Sequence, residues 1–187
     1  MKNLTRVLLP VLLLPAGLLF AACETLPPVD VPFEGTATVP GCPVADCTGV
    51  EIPALPSMPG VSDFNLKDSP EFKSAGGVID QIDEMHLADL TLDISSGADN
   101  FAWMTKMTFF ATSTDGSLPE IEIASLTLGA GEQGSSSISL TASNADISEY
   151  VKAGNLLITA KPVGQPPPAD TELKIAGTFS VTLATGL

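Results

Sequence analysis

Positive charge is what this sequence has least of. Eight Lys and Arg stand against 22 Asp and Glu, and no arginine occurs after residue 22. Lys2 and Arg6 lie in the first 22 residues, so the remainder keeps six cations against 22 acids, a charge of −16. Binding to phosphate needs clustered cations and is strengthened by the guanidinium fork. Nucleic acid and an anionic lipid surface are therefore poorly matched as partners, and the acidic surface reads as one kept soluble by self-repulsion. There is one histidine, one tryptophan and one tyrosine. That leaves little for a histidine-rich metal site or for stacking on sugars. No G-x-S-x-G elbow is present, and no long amphipathic helix supports a βαβ architecture. The length of 187 residues leaves room for one domain of ordinary size.

What is present begins with a leader. Lys2 and Arg6 form a short basic start, Val7 to Phe20 is apolar, and Ala21-Ala22 precede Cys23. This three-part plan is that of a secretory signal over residues 1–22. A membrane span takes about 20 apolar residues; this run is shorter, holds Pro10 and Pro15, and passes directly into Cys23-Glu24.

The sequence Leu19-Phe20-Ala21-Ala22-Cys23 resembles the lipobox of bacterial lipoproteins, with Phe20 where the family usually has Leu. The resemblance implies cleavage before Cys23 and lipidation of its thiol, which would then anchor the chain to a membrane. Glu24 in place of Asp after the Cys implies the outer membrane of the cell envelope. Cysteine arithmetic agrees with this, because three cysteines are awkward for an exported chain unless one is otherwise occupied. Cys42 and Cys47 are spaced for a small closed loop and are expected to form a disulfide in an oxidising compartment. A redox pair, usually separated by two residues, and half of a metal site, which would lack a nearby His or further Cys, are the alternatives.

From residue 23 to about 60 the chain is dense in proline, with eight prolines between Pro27 and Pro59. Proline removes backbone donors and fixes φ, so this stretch is expected to be an extended, largely unpaired tether. Val50 to Leu66 can add a first edge strand. Residues 61–187 are expected to form an all-β domain, an antiparallel immunoglobulin-like sandwich with one or two short helical turns. Ser69 and Pro70 open one such turn and Gly76-Gly77 end it. Met85, Leu87, Leu90, Leu92 and Ile94 share a face if a bulge falls near Leu87-Ala88, with Asp89, Thr91 and Asp93 outward.

Asp99 to Trp103 is read as a turn of helix, and Met107, Phe109 and Ala111 as the inner face of a strand. Ile121 to Leu128 and Ile138 to Leu140 supply further strands. Asp146 caps a turn over Ile147 to Ala153 that Gly154 stops. Leu156 to Lys161 and Leu173 to Leu183 complete the domain.

The stretch Asp146 to Leu183, with Ile-Ser-Glu-Tyr-Val-Lys and Val-Gly-Gln-Pro-Pro-Pro-Ala-Asp-Thr-Glu before its closing alternation, resembles uncharacterised lipoproteins of myxobacterial type. The pattern implies an immunoglobulin-like sandwich and brings no activity with it.

Candidate chemistry is thin. Gly129 to Gly134 matches G-x-G-x-x-G, but a dinucleotide site needs a helix opening at the last glycines, and Ser135 to Ser143 alternates as a strand. A hairpin loop is expected there, and no cofactor. His86 is read as a solvent-facing strand residue. The clusters Asp80, Asp83 and Glu84, then Asp93, Asp99 and Asn100, then Asp115, Glu120 and Glu122 match no calcium loop. Trp103, Met104, Met107, Phe109 and Phe110 are read mainly as core. The expected function is therefore a non-enzymatic, lipid-anchored envelope protein whose domain is a binding or structural module for an envelope partner. The alternatives are a carrier of a small apolar ligand between the sheets and a hydrolase using a loop-borne carboxylate pair.

Overall fold

The computed structural model describes residues 27–42, 50–55 and 58–184. Among these residues seven strands are formed: β1 (Val29–Val39), β2 (Ile82–Ser96), β3 (Met104–Ser113), β4 (Ile121–Thr127), β5 (Ser137–Ala142), β6 (Leu156–Gly164) and β7 (Thr171–Leu183). Three short helices accompany them: α1 (Pro70–Ser74), α2 (Ala130–Gln133) and α3 (Ser148–Lys152). The strands lie in the order β1-β7-β2-β5-β4-β3-β6, with every neighbouring pair antiparallel. The sheet is curled into a half-barrel.

The curl is made at β5. Its residues Ser137 to Leu140 pair with β2, whereas Thr141 and Ala142 pair with β4. One strand thus hands the ladder from one neighbour to the other, and the two halves are joined through hydrogen bonds rather than only through side chains. The all-β antiparallel class is as expected; the division into two separate sheets is not what the pairing describes.

Strand faces follow the alternation. Met85, Leu87, Leu90 and Leu92 are buried on β2, and its register against β7 shifts between Leu87 and Asp89, leaving Ala88 exposed as the extra residue. Without that bulge, the apolar set before it and the set after it would face opposite sides. On β7, Leu173, Ile175, Phe179, Val181 and Leu183 are buried. Asp99 to Trp103 forms a turn rather than helix: the Ala102 amide bonds to the Asn100 side chain, and Phe101 and Trp103 are buried.

The largest departure from expectation lies in the proline-rich segment. Val29–Val39, placed in the unpaired tether, is a full strand in register with β7 from Val29↔Val181 to Val39↔Thr171. The proline count obscured a run from Phe33 to Val39 that contains none and buries alternate apolar side chains. Pro32 is tolerated because β1 is an edge strand, where a missing amide need not break the ladder. The same reason admits Pro162 in β6, the other edge.

The chain between these edges closes the open side of the half-barrel. Leu55 exchanges backbone hydrogen bonds with Ala160 of β6, at 2.8 and 3.4 Å. Four residues on, the Pro59 carbonyl accepts from the Thr36 amide of β1 at 3.0 Å. The Ser62 hydroxyl then donates to the Ile158 carbonyl of β6. Ile52, Leu55, Met58 and Val61 are buried along this strap. Val50 to Leu66 therefore contributes an isolated bridge at the edge rather than a strand, and it covers backbone groups that both edges would otherwise expose to other chains.

Candidate functional site

The two ends of the sheet differ in what they carry. At one end, here the Val29 end, Val29 opposes Val181, Ile82 opposes Leu183 and Ser113 opposes Leu156. At the other, the Val39 end, Val39 opposes Thr171 and Asp93 opposes Ser137.

Three local devices build the Val29 end. Ser69 caps α1 by accepting from the Phe72 amide, Pro70 takes the first helical position, and Gly76 leaves the helix at φ 71°. Phe72 is thereby turned into the core. A 3-10 turn, Ile79–Gln81, follows and is tied to the end of β7 through the Ala184 amide and the Gln81 carbonyl at 2.7 Å. The third device is Asp146. Its carboxylate accepts from the Met85 amide at 3.0 Å and the Ser148 amide at 2.9 Å, while the Ile147 amide donates to the Met85 carbonyl. Asp146 is not the helix cap expected from sequence, since Ile147 occupies that position and Asp146 stands one residue before it; it is instead the joint that fixes α3 to β2.

The Asp146 site carries a pH signature. Burial raises its carboxyl, but the two amides, the Ser148 hydroxyl and the charge of Lys152 outweigh that effect, and the group lies below its usual value of 3.8. A folded-state value below the unfolded one contributes stability above the unfolded value, and that contribution is lost as pH falls through the lowered one. Asp146→Ala removes the acceptor of the Met85 and Ser148 amides and is expected to reduce unfolding free energy by about 1 kcal/mol at neutral pH. Urea titrations across the acid range check this: the gap to the wild type closes on acidification, and a gap independent of pH rejects the assignment.

Between these devices run two adjoining clefts of about 330 and 370 Å³, which share Lys67 and Ile79. Phe64, Val151 and Leu156 give the first an apolar wall. Lys73, Val78, Asp80 and Lys152 line the second. Lys73 Nζ donates to the Asp68 carbonyl at 3.1 Å, and Lys152 pairs with Glu149 at 3.0 Å. Three lysines thus line a partly apolar hollow. Such a site can hold an amphipathic or phosphate-bearing group; its lining includes no histidine or cysteine to act as base or nucleophile.

The residues singled out from sequence do not converge here. Cys23 and Cys47 lie outside the described residues. Cys42 is disulfide-bonded, and its amide donates to the Pro167 carbonyl at 2.8 Å, at the Val39 end. His86 is half-buried on β2, with Nδ1 at 3.9 Å from a Glu84 oxygen. Asp115 accepts from the Ser117 amide and from the Asn155 side chain; the hydrogen bonds from Ser117, foremost its amide, hold the carboxyl down at about 2. Glu120 pairs with Lys161, and Glu122 accepts from the Ser125 hydroxyl. Among the described residues, no three His, Cys, Asp or Glu side chains are grouped to hold a metal.

The chain matches no protein-family model and no curated protein. Its chemistry must therefore be read from its own residues.

At Gly129 to Gly134 the expected hairpin loop contains α2, a single turn. The amide of its N-cap, Gly129, donates to the Glu132 carboxylate at 3.0 Å. A carboxylate in that position opposes a pyrophosphate, and the chain continues into β5 rather than into a longer helix. The aromatic and methionine run is core where it was read as core: Trp103, Met104, Met107 and Phe109 are buried. Phe110 is half-buried on the outer face beneath Lys161, whose Nζ lies 4.4 Å from the ring centre. Sequence reading missed the Lys67, Lys73 and Lys152 cleft. The available signal was the scarcity of cations, which makes any gathering of three notable.

Proposed function

We propose that this protein is a lipid-anchored component of a bacterial cell envelope, held at the outer membrane through Cys23, and that its β domain is a non-enzymatic binding or structural module. The observation that carries the reading is the passage of an apolar leader, through Ala21-Ala22, into a cysteine that needs another role than the Cys42–Cys47 pairing proposed above. The absence of a cofactor and of catalytic residues belongs to the same proposal.

The immunoglobulin-like sandwich is the finer form of the fold reading. In it, β1-β7-β2 and β4-β3-β6 face each other with β5 turning between them; support comes from the burial of one face of each half in a common cluster. The carrier alternative draws less support, because Met104, Met107, Phe109 and Phe179 fill the interior at 1% exposure or less, and the lysine-bordered clefts lie at the periphery.

The test is the mass of the N-terminal peptide from membrane-extracted protein, together with fractionation of Cys23→Ser. The reading expects a diacylglyceryl-modified Cys23, and release of the variant into the soluble fraction. An unprocessed N-terminus, or unchanged membrane association of the variant, overturns it.

A further inference from the structure

We infer that the Val29 end of the sheet lies against the bilayer, with Val78 and the Lys67, Lys73 and Lys152 cleft facing the headgroups of a zwitterionic phospholipid. The inference rests on the anchoring reading above and adds an orientation and a contact surface to it.

Chain length supplies the first argument. β1 begins at Val29, so only residues 24–28 separate Cys23 from a hydrogen-bonded strand. Fully extended, that connection reaches about 20 Å. The tether is too short to act as a long stalk. A strand of 11 residues is itself about 35 Å long. The Val39 end, with Cys42, α2 and the Gly164 to Asp170 loop, therefore stands farther from the anchor than the connection can span when the sheet is upright.

Surface chemistry supplies the second. Three of the six lysines that follow residue 22, Lys67, Lys73 and Lys152, line the clefts at the Val29 end. Val78 is 50% exposed between Gly77 and Ile79, immediately before the turn tied to the end of β7. Lysine stems can lie along apolar surface while their ammonium groups reach phosphate.

The local charge selects the lipid. Asp80 lines the same hollow and Glu149 is paired with Lys152. A headgroup bearing both phosphate and ammonium satisfies lysines and carboxylates together. A uniformly anionic surface would meet a body of charge −16 and repel it.

The experiment uses the full lipidated chain in phosphatidylethanolamine-rich vesicles containing a lipid with a nitroxide on its headgroup. Two variants each add a tryptophan at an exposed site: Val78→Trp at the Val29 end, and Ala130→Trp in α2 at the Val39 end. Trp103, buried, is the common background. The emission added by Val78→Trp should be lost on introducing the nitroxide lipid, and that added by Ala130→Trp retained. Quenching of Ala130→Trp to an equal or greater degree, or of neither, overturns the orientation. The mass of the Cys23 peptide is measured in the same samples. An unmodified Cys23 overturns the anchoring reading itself, whereas a lipidated chain with the wrong quenching pattern overturns only the orientation.

Discussion

Phe179→Ala is expected to lower the unfolding free energy by about 3 to 5 kcal/mol, the range for removing a fully buried aromatic side chain. Phe179 sits at the centre of β7 with no exposed surface. Its ring stacks on Phe33 of β1 at 4.6 Å between centroids and meets Phe64, near the end of the strap, at 5.1 Å. Three separate pieces of chain are therefore anchored on one side chain. The substitution removes the transfer energy of the ring and leaves a cavity that a hydrogen-bonded sheet on one side cannot collapse to fill. Domains of this size are stable by only about 5 to 15 kcal/mol, so a large part of the margin disappears. Denaturant midpoints measure the effect. Phe110→Ala, which trims a half-buried ring on the outer face, is the comparator. An equal loss from both would show that the three-ring cluster is not a principal support of the fold.

Gly35→Val is expected to cost about 3 kcal/mol, at the upper part of the range for overpacking, because two backbone segments approach too closely for a side chain. A Cβ on Gly35 would lie 2.4 Å from the Pro59 carbonyl oxygen and 2.5 Å from a Val61 methyl carbon. The strap has little room to retreat: the Pro59 carbonyl is bonded to the next residue of the same strand, Thr36, and Gly60 holds φ 84° with its own Cβ position blocked by the Glu34 carbonyl. Lifting the strap would uncover Met58 and Val61, both essentially buried. Limited proteolysis distinguishes this from general weakening. Cleavage should appear first between residues 50 and 62 under conditions where the rest of the domain resists, and uniform digestion would argue against a strap that closes the sheet.

Much of the strand pattern was legible beforehand, for identifiable reasons. The β2 bulge could be placed because the apolar positions Met85, Leu87, Leu90, Leu92 and Ile94 fall on one face only if a residue is inserted near Ala88. The α1 boundaries could be placed because Ser69, Pro70 and Gly76 are each suited to their backbone position by their own chemistry. β1 was not legible. Its prolines carry a local signal against pairing, and the fact that decides the matter, that Val29–Val39 lies at the edge of the sheet, is not local. The cleft was invisible for a related reason: Lys67 and Lys73 come from one segment and Lys152 from another, and only the attachment of α3 to β2 through Asp146 brings the two segments together.

Composition and periodicity alone determined an acidic chain with an apolar N-terminal run before Cys23, an all-β antiparallel body, and the inward face of nearly every strand. Each of those properties is carried by residues near one another in sequence. The tertiary structure decided that the strands join one curled half-barrel, that a proline-rich segment is both its edge strand and its closing strap, and that three of the few lysines share one end of it. Those outcomes depend on which edges remain unpaired after the sheet has formed. The free energy of covering an exposed edge and burying Met58 and Val61 against it belongs to contacts between distant parts of the chain, and no local pattern encodes it.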